Sequence, residues 1–171
     1  MSGNSGSSTI TSGSVECSAS GMSAVPVEQN LEEEAYTTRE VIVAAAVACD
    51  YQALAALADD EYFAYDLGVA GNPADYWQDQ EEGQTGTPLS FLVETLNLPF
   101  ARVEAEGYVS YVWPAAYAAA TWADVPASEQ AALTALYGAD ISQDWTDHGQ
   151  FDHYRAAIDF QGTWIVFMTG S

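Results

Sequence analysis

The segment DWTDHGQFDHY, residues 144–154, holds both histidines of the chain. Asp147 directly precedes His148, Asp152 directly precedes His153, and Asp144 lies just upstream. An imidazole beside a carboxylate can ligate a transition metal, or act as a general base whose pKa the carboxylate raises. His148, His153, Asp147 and Asp152 are therefore the candidate catalytic residues. Their spacing matches no standard metal motif. Aspartates in such a segment also serve as turn and cap residues, with the histidines on the surface.

The aromatic residues offer a second chemistry. Tyr65, Trp77, Tyr111 and Trp113 are candidates to line a pocket on a curved sheet, with Asp66, Arg102 or Arg155 as polar anchors. Packing competes with this role, because aromatics more often form the core while tyrosine hydroxyls reach for water. Carboxylate runs at 32–34, 59–61 and 79–82 offer hard oxygen ligands for calcium. None has the alternating, glycine-centred loop of an EF-hand, so solvated faces are expected there and no metal site.

Other catalytic signatures are missing. The chain has no Gly-x-Ser-x-Gly elbow, P-loop, Rossmann glycine fingerprint or His-Glu-x-x-His. It has no lysine, so Schiff-base and pyridoxal chemistry are excluded, and no cofactor is expected. The basic side chains are Arg39, Arg102 and Arg155, against 25 Asp plus Glu, for a formal net charge of −22. Nucleic acid and anionic membrane surfaces require clustered Lys and Arg, so neither is expected as a partner. A protein or small-molecule partner stays open. Replacement of Lys by Asp and Glu suits a salty setting; codon usage combined with solubility is the other explanation.

Residues 1–30 open in low-complexity Ser, Gly and Thr and are expected to form a flexible tail ahead of a single globular domain at 31–171. No run of about 18 apolar residues exists to cross a membrane. No basic region precedes an apolar stretch, so no signal peptide is legible. The Ser/Gly opening is of the kind that tethers bacterial lipoproteins. This favours export, whether periplasmic, lipoprotein-tethered or extracellular, over the cytoplasm. The two cysteines, Cys17 and Cys49, fit no redox or zinc spacing. The expected arrangement is a loose tail thiol and a buried small hydrophobe at Cys49, with one disulfide as the alternative.

Several elements must position these residues. Thr37 and Glu40 read as a capping box opening a buried helix over about 38–49. Asp50 caps a short second helix. EYFAYDLG, residues 61–68, has strand composition. Asn72-Pro73 and Thr87-Pro88 each read as an N-cap with proline at the first helical position. Leu89, Leu92, Val93 and Leu96 form one apolar stripe on the second of these helices. FARVEAE and YVSYVW read as a hairpin around Gly107, and Pro114 ends it. Residues 115–125 are ambiguous with a helical leaning, 127–137 is a helix, and 139–150 is a loop with a helical turn. HYRAAID and TWIVFM flank FQG as a terminal hairpin, with TWIVFM a central strand.

Helices first and strands later, without βαβ alternation, argue for an α+β fold with a mainly antiparallel sheet. This order over residues 37–170 loosely resembles the NTF2-like, cystatin-like α+β fold, in which helices cover a curved sheet. The pieces Phe63-Ala64-Tyr65, Pro73 with Tyr76-Trp77, Tyr111-Val112-Trp113-Pro114, and Gly162-Thr163-Trp164 with Phe167 and Gly170 resemble a family of uncharacterised bacterial proteins. The resemblance implies a fold and transfers no site. The leading functional expectation is a non-catalytic, exported domain acting through binding. Its rival is an NTF2-like small-molecule binder or enzyme using an aromatic pocket with Asp and His.

Overall fold

A computed structural model describes residues 16–58, 61–66 and 71–169. Four helices come first: α1 (Glu33–Val47), α2 (Tyr51–Leu57), α3 (Pro73–Glu82) and α4 (Pro88–Asn97). The hairpin β1 (Ala101–Ala105) and β2 (Tyr108–Trp113) follows. Two 3-10 turns, α5 (Ala127–Tyr137) and α6 (Ala139–His148) come next. The chain then closes with β3 (Arg155–Asp159) and β4 (Trp164–Met168). The fold is α+β, with four antiparallel strands in the order β1-β2-β3-β4.

Local signals explain most boundaries. The Asp50 side chain accepts the Ala53 N–H, and Asn72 accepts the Ala74 N–H, each capping its helix as expected. Helix α1 begins five residues before Thr38, at Glu33. Thr37 lies inside it, and Glu40 accepts the Tyr36 hydroxyl instead of closing a capping box. Glu33 and Glu34 are good helix formers whose charge suits the positive helix terminus, so the acidic run joins the helix. Glu106 and Gly107 both have positive φ and turn β1 into β2. At Gly162, a side-chain carbon would stand 2.9 Å from the Glu34 carbonyl, so α1 packs against the β3–β4 turn only because no Cβ is there.

The face of the sheet turned toward α1, α3 and α4 carries Tyr111, Trp113, Ala156, Ile158, Trp164 and Phe167. Trp164 and Phe167 are three residues apart, and strict alternation would put them on opposite faces. A register shift between Ala157 and Ile158 leaves Ile165 as the extra residue of a bulge, so both rings enter the same core. Trp77 lies 5.5 Å from both Trp164 and Phe167, and Phe63 meets Trp164 edge-on at 5.0 Å.

Two expectations about strands are corrected. TWIVFM is the last strand of the sheet and not a central one. On its outer side, among the described residues, Ala64 bridges to Val166, through the Ala64 N–H to Ile165 O and the Phe167 N–H to Ala64 O. Residues 61–66 therefore contribute one bridge in place of the expected strand, and 67–70 lie outside the described residues. The segment 139–148, expected as a loop with a helical turn, is helix α6. Its lone buried residue, Trp145, gives too weak an apolar pattern to announce a helix.

The N-terminal segment also departs from expectation. Residues 1–15 lie outside the described residues. From residue 16 onward the expected tail is tied down, and Ala19 is fully buried in the main core. Cys17 and Cys49 form a disulfide, correcting the expectation of two separate thiols. The Gln29 carboxamide oxygen accepts the Trp113 indole N–H. The Val27 carbonyl accepts from Arg39, a fully buried arginine whose guanidinium also donates to the Leu96 carbonyl and Asn97 Oδ1. Arg39 thus serves the carbonyl end of α4, where a cation is favourable.

Residues 115–151 build a second, smaller core from Trp122, Val125, Leu133, Trp145 and Phe151. This unit interrupts the chain between two paired strands, β2 and β3. No helix among the described residues is long and apolar enough to cross a membrane.

Candidate functional site

A cleft of about 910 Å³ is lined by residues packed against both cores. Residues 16–18 and the α3–α4 loop at 84–87 line it. Phe91 of α4, Tyr137 at the end of α5, Ile141 of α6 and residues 152–154 line it as well. The elements explain the placement. Phe91 lies off the Leu89-Leu92-Val93-Leu96 stripe that α4 buries against the main core, so its ring is left for the cleft side. Tyr137 is the last residue of α5 before Gly138, whose φ of 97° turns the chain into α6.

Four rings make a continuous wall. Phe91 stacks on Tyr137 at 5.3 Å and on Tyr154 at 4.9 Å. The His153 ring lies 4.1 Å from Tyr137 and 5.3 Å from Tyr154. Tyr154 in turn stacks on Phe167, anchoring the wall to the main core. Burial pushes the Tyr154 phenol up to about 12 and raises Tyr137 further. The Tyr137 hydroxyl and the Thr95 hydroxyl are both buried. Thr95 is close enough to ease Tyr137 ionisation slightly, but their geometry falls short of a hydrogen bond.

His153 has a defined state. Burial lowers its pKa, and the opposing effect of Asp152 is smaller. Its Nδ1 lies 3.0 Å from the Tyr154 backbone N–H, which can only donate. Nδ1 is therefore the unprotonated nitrogen, and Nε2 carries the proton of the neutral ring. An imidazole held this way has no lone pair left to take a proton from a substrate.

The carboxylates of the cleft divide by role. Glu81 accepts the Ser18 N–H at 2.9 Å, the Ser18 hydroxyl at 2.5 Å and the Leu89 N–H at 3.0 Å, so it is committed to structure. Glu16 and Asp152 are exposed carboxylates of the lining. No arginine lines the cleft.

The candidates from the sequence are dispersed. Asp152 and His153 reach this cleft, His148 and Asp152 share a smaller depression of about 270 Å³ with Asp144, and Asp147 lies on the exposed side of α6. The His148 Nδ1 bonds the Asp144 carbonyl, and Asp147 accepts from Gln143. Trp77, Tyr111 and Trp113 are buried core residues. Tyr65 donates its hydroxyl to the Gly71 carbonyl beside a separate depression of about 520 Å³. Asp66 accepts the Tyr76 hydroxyl and the Thr169 hydroxyl. Arg102 is paired with Glu104 at 3.0 Å on the exposed edge strand. Arg155 lies over the Tyr117 ring on the opposite face of the sheet. No group of three His, Cys, Asp or Glu among the described residues is arranged to hold a metal ion.

Phe91, Tyr137 and Tyr154 were missed by sequence reasoning. The one available signal was Phe91, a bulky apolar residue off the stripe of its own helix. No family model, curated protein or solved structure matches this chain.

Proposed function

We propose that this protein is a non-catalytic binding domain that works outside the reducing cytoplasm, with the cleft lined from both cores as the ligand site. The carrying observation is the wall of Phe91, Tyr137, His153 and Tyr154, which borders a cleft of about 910 Å³. Clefts of this size with an apolar wall and a few polar groups are the usual form of small-molecule sites. The helix-covered face of the sheet, where an NTF2-like reading would put a ligand, is occupied by Trp77, Trp113, Trp164 and Phe167. Binding without catalysis is favoured by the state of His153 and by the separation of the Asp147-His148 pair from the cleft. The Cys17–Cys49 disulfide favours an oxidising compartment.

A fragment screen by NMR on isotope-labelled protein tests this reading. Hits are expected to shift the resonances of Phe91, Tyr137, His153 and Tyr154 together. Hits scattered over the surface, or none at these four residues, would overturn it.

A further inference from the structure

The two edges of the sheet differ. Among the described residues, the outer edge of β4 is met by Ala64, whereas no N–H or C=O group of β1 bonds beyond the β1–β2 ladder. The parity of that ladder fixes which groups are left over. Ala105 and Tyr108 close the two-residue turn at Glu106 and Gly107, so they form a hydrogen-bonded pair, and bonded and non-bonded pairs alternate from there. Ala101, Val103 and Ala105 therefore bond β2, while Arg102 and Glu104 turn their backbone groups outward. The Val109 carbonyl, opposite Glu104, agrees with this parity, because it points away from β1 and accepts the Phe160 N–H. The side chains of Arg102 and Glu104 share one face, pair at 3.0 Å and are 49% and 58% exposed.

An open row of strand groups is a template for another strand, and proteins commonly blunt it with charge. Blunting in this chain would come from Asp and Glu, which outnumber the basic residues 25 to 3. Arg102 makes the edge self-complementary instead. Within β1, antiparallel pairing of outward residues with those of a second copy allows three registers. One opposes Arg102 to the partner's Arg102, and another opposes Glu104 to the partner's Glu104. The third, centred on Val103, opposes Arg102 to the partner's Glu104 at both ends. It alone uses both outward residues of each strand, for four bonds between the chains, and it alone opposes unlike charges. We propose that β1 is a homodimer interface, in which two copies pair β1 to β1, antiparallel about a two-fold axis through Val103. An edge of five residues is small beside the roughly 1,200 Å² of stable interfaces, and the net charge of −22 opposes association, so the dimer is weak and needs salt. No residue of β1 lines the cleft, so the interface is independent of the binding reading.

Sedimentation equilibrium of the intact protein, up to about 1 mM in about 0.15 M NaCl, should show monomer and dimer with a dissociation constant of about 0.1–1 mM. Arg102→Glu and Glu104→Arg change exposed side chains and should fold normally. Each should stay monomeric alone, since like charges then face each other at both pairs, and the two mixed should form a dimer. The Arg102→Glu, Glu104→Arg double variant keeps the net charge and should dimerise as the parent does. Val103→Cys tests the axis. Its thiol is the only free one, because Cys17 and Cys49 are joined. Directly opposed residues of a non-bonded pair stand about 4.5 Å apart at Cα, so mild oxidation should cross-link it to its own copy. Ala101→Cys, opposite the partner's Ala105, should not cross-link. A monomer throughout that range would overturn the proposal and leave the edge to a strand of another protein. A dimer that both single charge variants retain, or that cross-links as well through Ala101→Cys as through Val103→Cys, would overturn it too, because such a dimer uses another surface or register.

Discussion

Ser18 and Glu81, 63 residues apart in the chain, form one capping unit for a helix that contains neither of them. Glu81 accepts the Leu89 N–H while Ser18 Oγ accepts the Ser90 N–H, and the Ser18 N–H donates back to Glu81. Thr87, the sequence-local cap of α4, makes no side-chain cap bond. The N-terminal segment thus does for α4 what a local serine or aspartate normally does. Glu81→Ala should cost about 1.5–3 kcal/mol, because three donors lose a charged acceptor. Ser18→Ala should cost about 1 kcal/mol. Urea denaturation measures both, and a change within experimental error for Glu81→Ala would contradict this role.

The disulfide sets the same segment. Cys17 and Cys49 are 32 residues apart, and closing a loop of that size restricts the unfolded chain by about 3–4 kcal/mol. The Cys17→Ser, Cys49→Ser variant should lose stability of that order. Residues 16–24 should also become sensitive to limited proteolysis, since the segment would then be held by the Ser18 bonds to Glu81 and Ser90 and by the buried Ala19, with no covalent tie. An unchanged proteolytic pattern would count against this.

Trp164→Ala should cost about 3–5 kcal/mol, the range for deleting a large buried aromatic. The ring is 1% exposed and touches Phe63, Trp77 and Phe167. Although β4 is the terminal strand, its bulge turns this ring into the core. Chemical denaturation giving a loss below about 1 kcal/mol would refute that placement.

Acidification should act in two opposed ways. Burial raises the pKa of Glu129 and of Glu94 above 4.5. Each binds its proton more readily in the folded state, so its contribution is full below 4.5 and is lost as pH rises through the raised value. Burial lowers His153 below 6.5, so its contribution is present above 6.5 and is lost as pH falls through the lowered value. Glu129→Gln should flatten the gain in melting temperature as pH falls from neutral toward 4.5. His153→Phe should enlarge it. Thermal melts across that range check both signs, and the reverse order would reject the assignment.

The net charge of −22 predicts a melting temperature that rises as NaCl increases to about 0.3 M, where screening shortens carboxylate repulsion to a few ångströms. A flat or falling curve over that interval would show that repulsion does not limit this fold.

The elements most legible in the chain were those with local signals. Asp50 and Asn72-Pro73 capped the helices they announced, and Gly107 turned the hairpin where the strand composition changed. Helix α6 was illegible because only Trp145 on it is buried. The candidate site was half legible: Asp152 and His153 stood out as an imidazole beside a carboxylate, while the rings beside them belonged to segments that gave no sign of meeting.

By itself the sequence determined the fold class, the charge and the caps at Asp50 and Asn72, because each depends on composition or on neighbours within one turn. The tertiary structure decided the rest. It joined Cys17 to Cys49, gave α4 its cap from Ser18 and Glu81, and turned Trp164 and Phe167 to one face through a single extra residue. It also placed Phe91, Tyr137 and Tyr154 around His153. Each of these depends on contacts between residues far apart in the chain, and a one-residue bulge is enough to invert the side-chain pattern that a strand sequence implies.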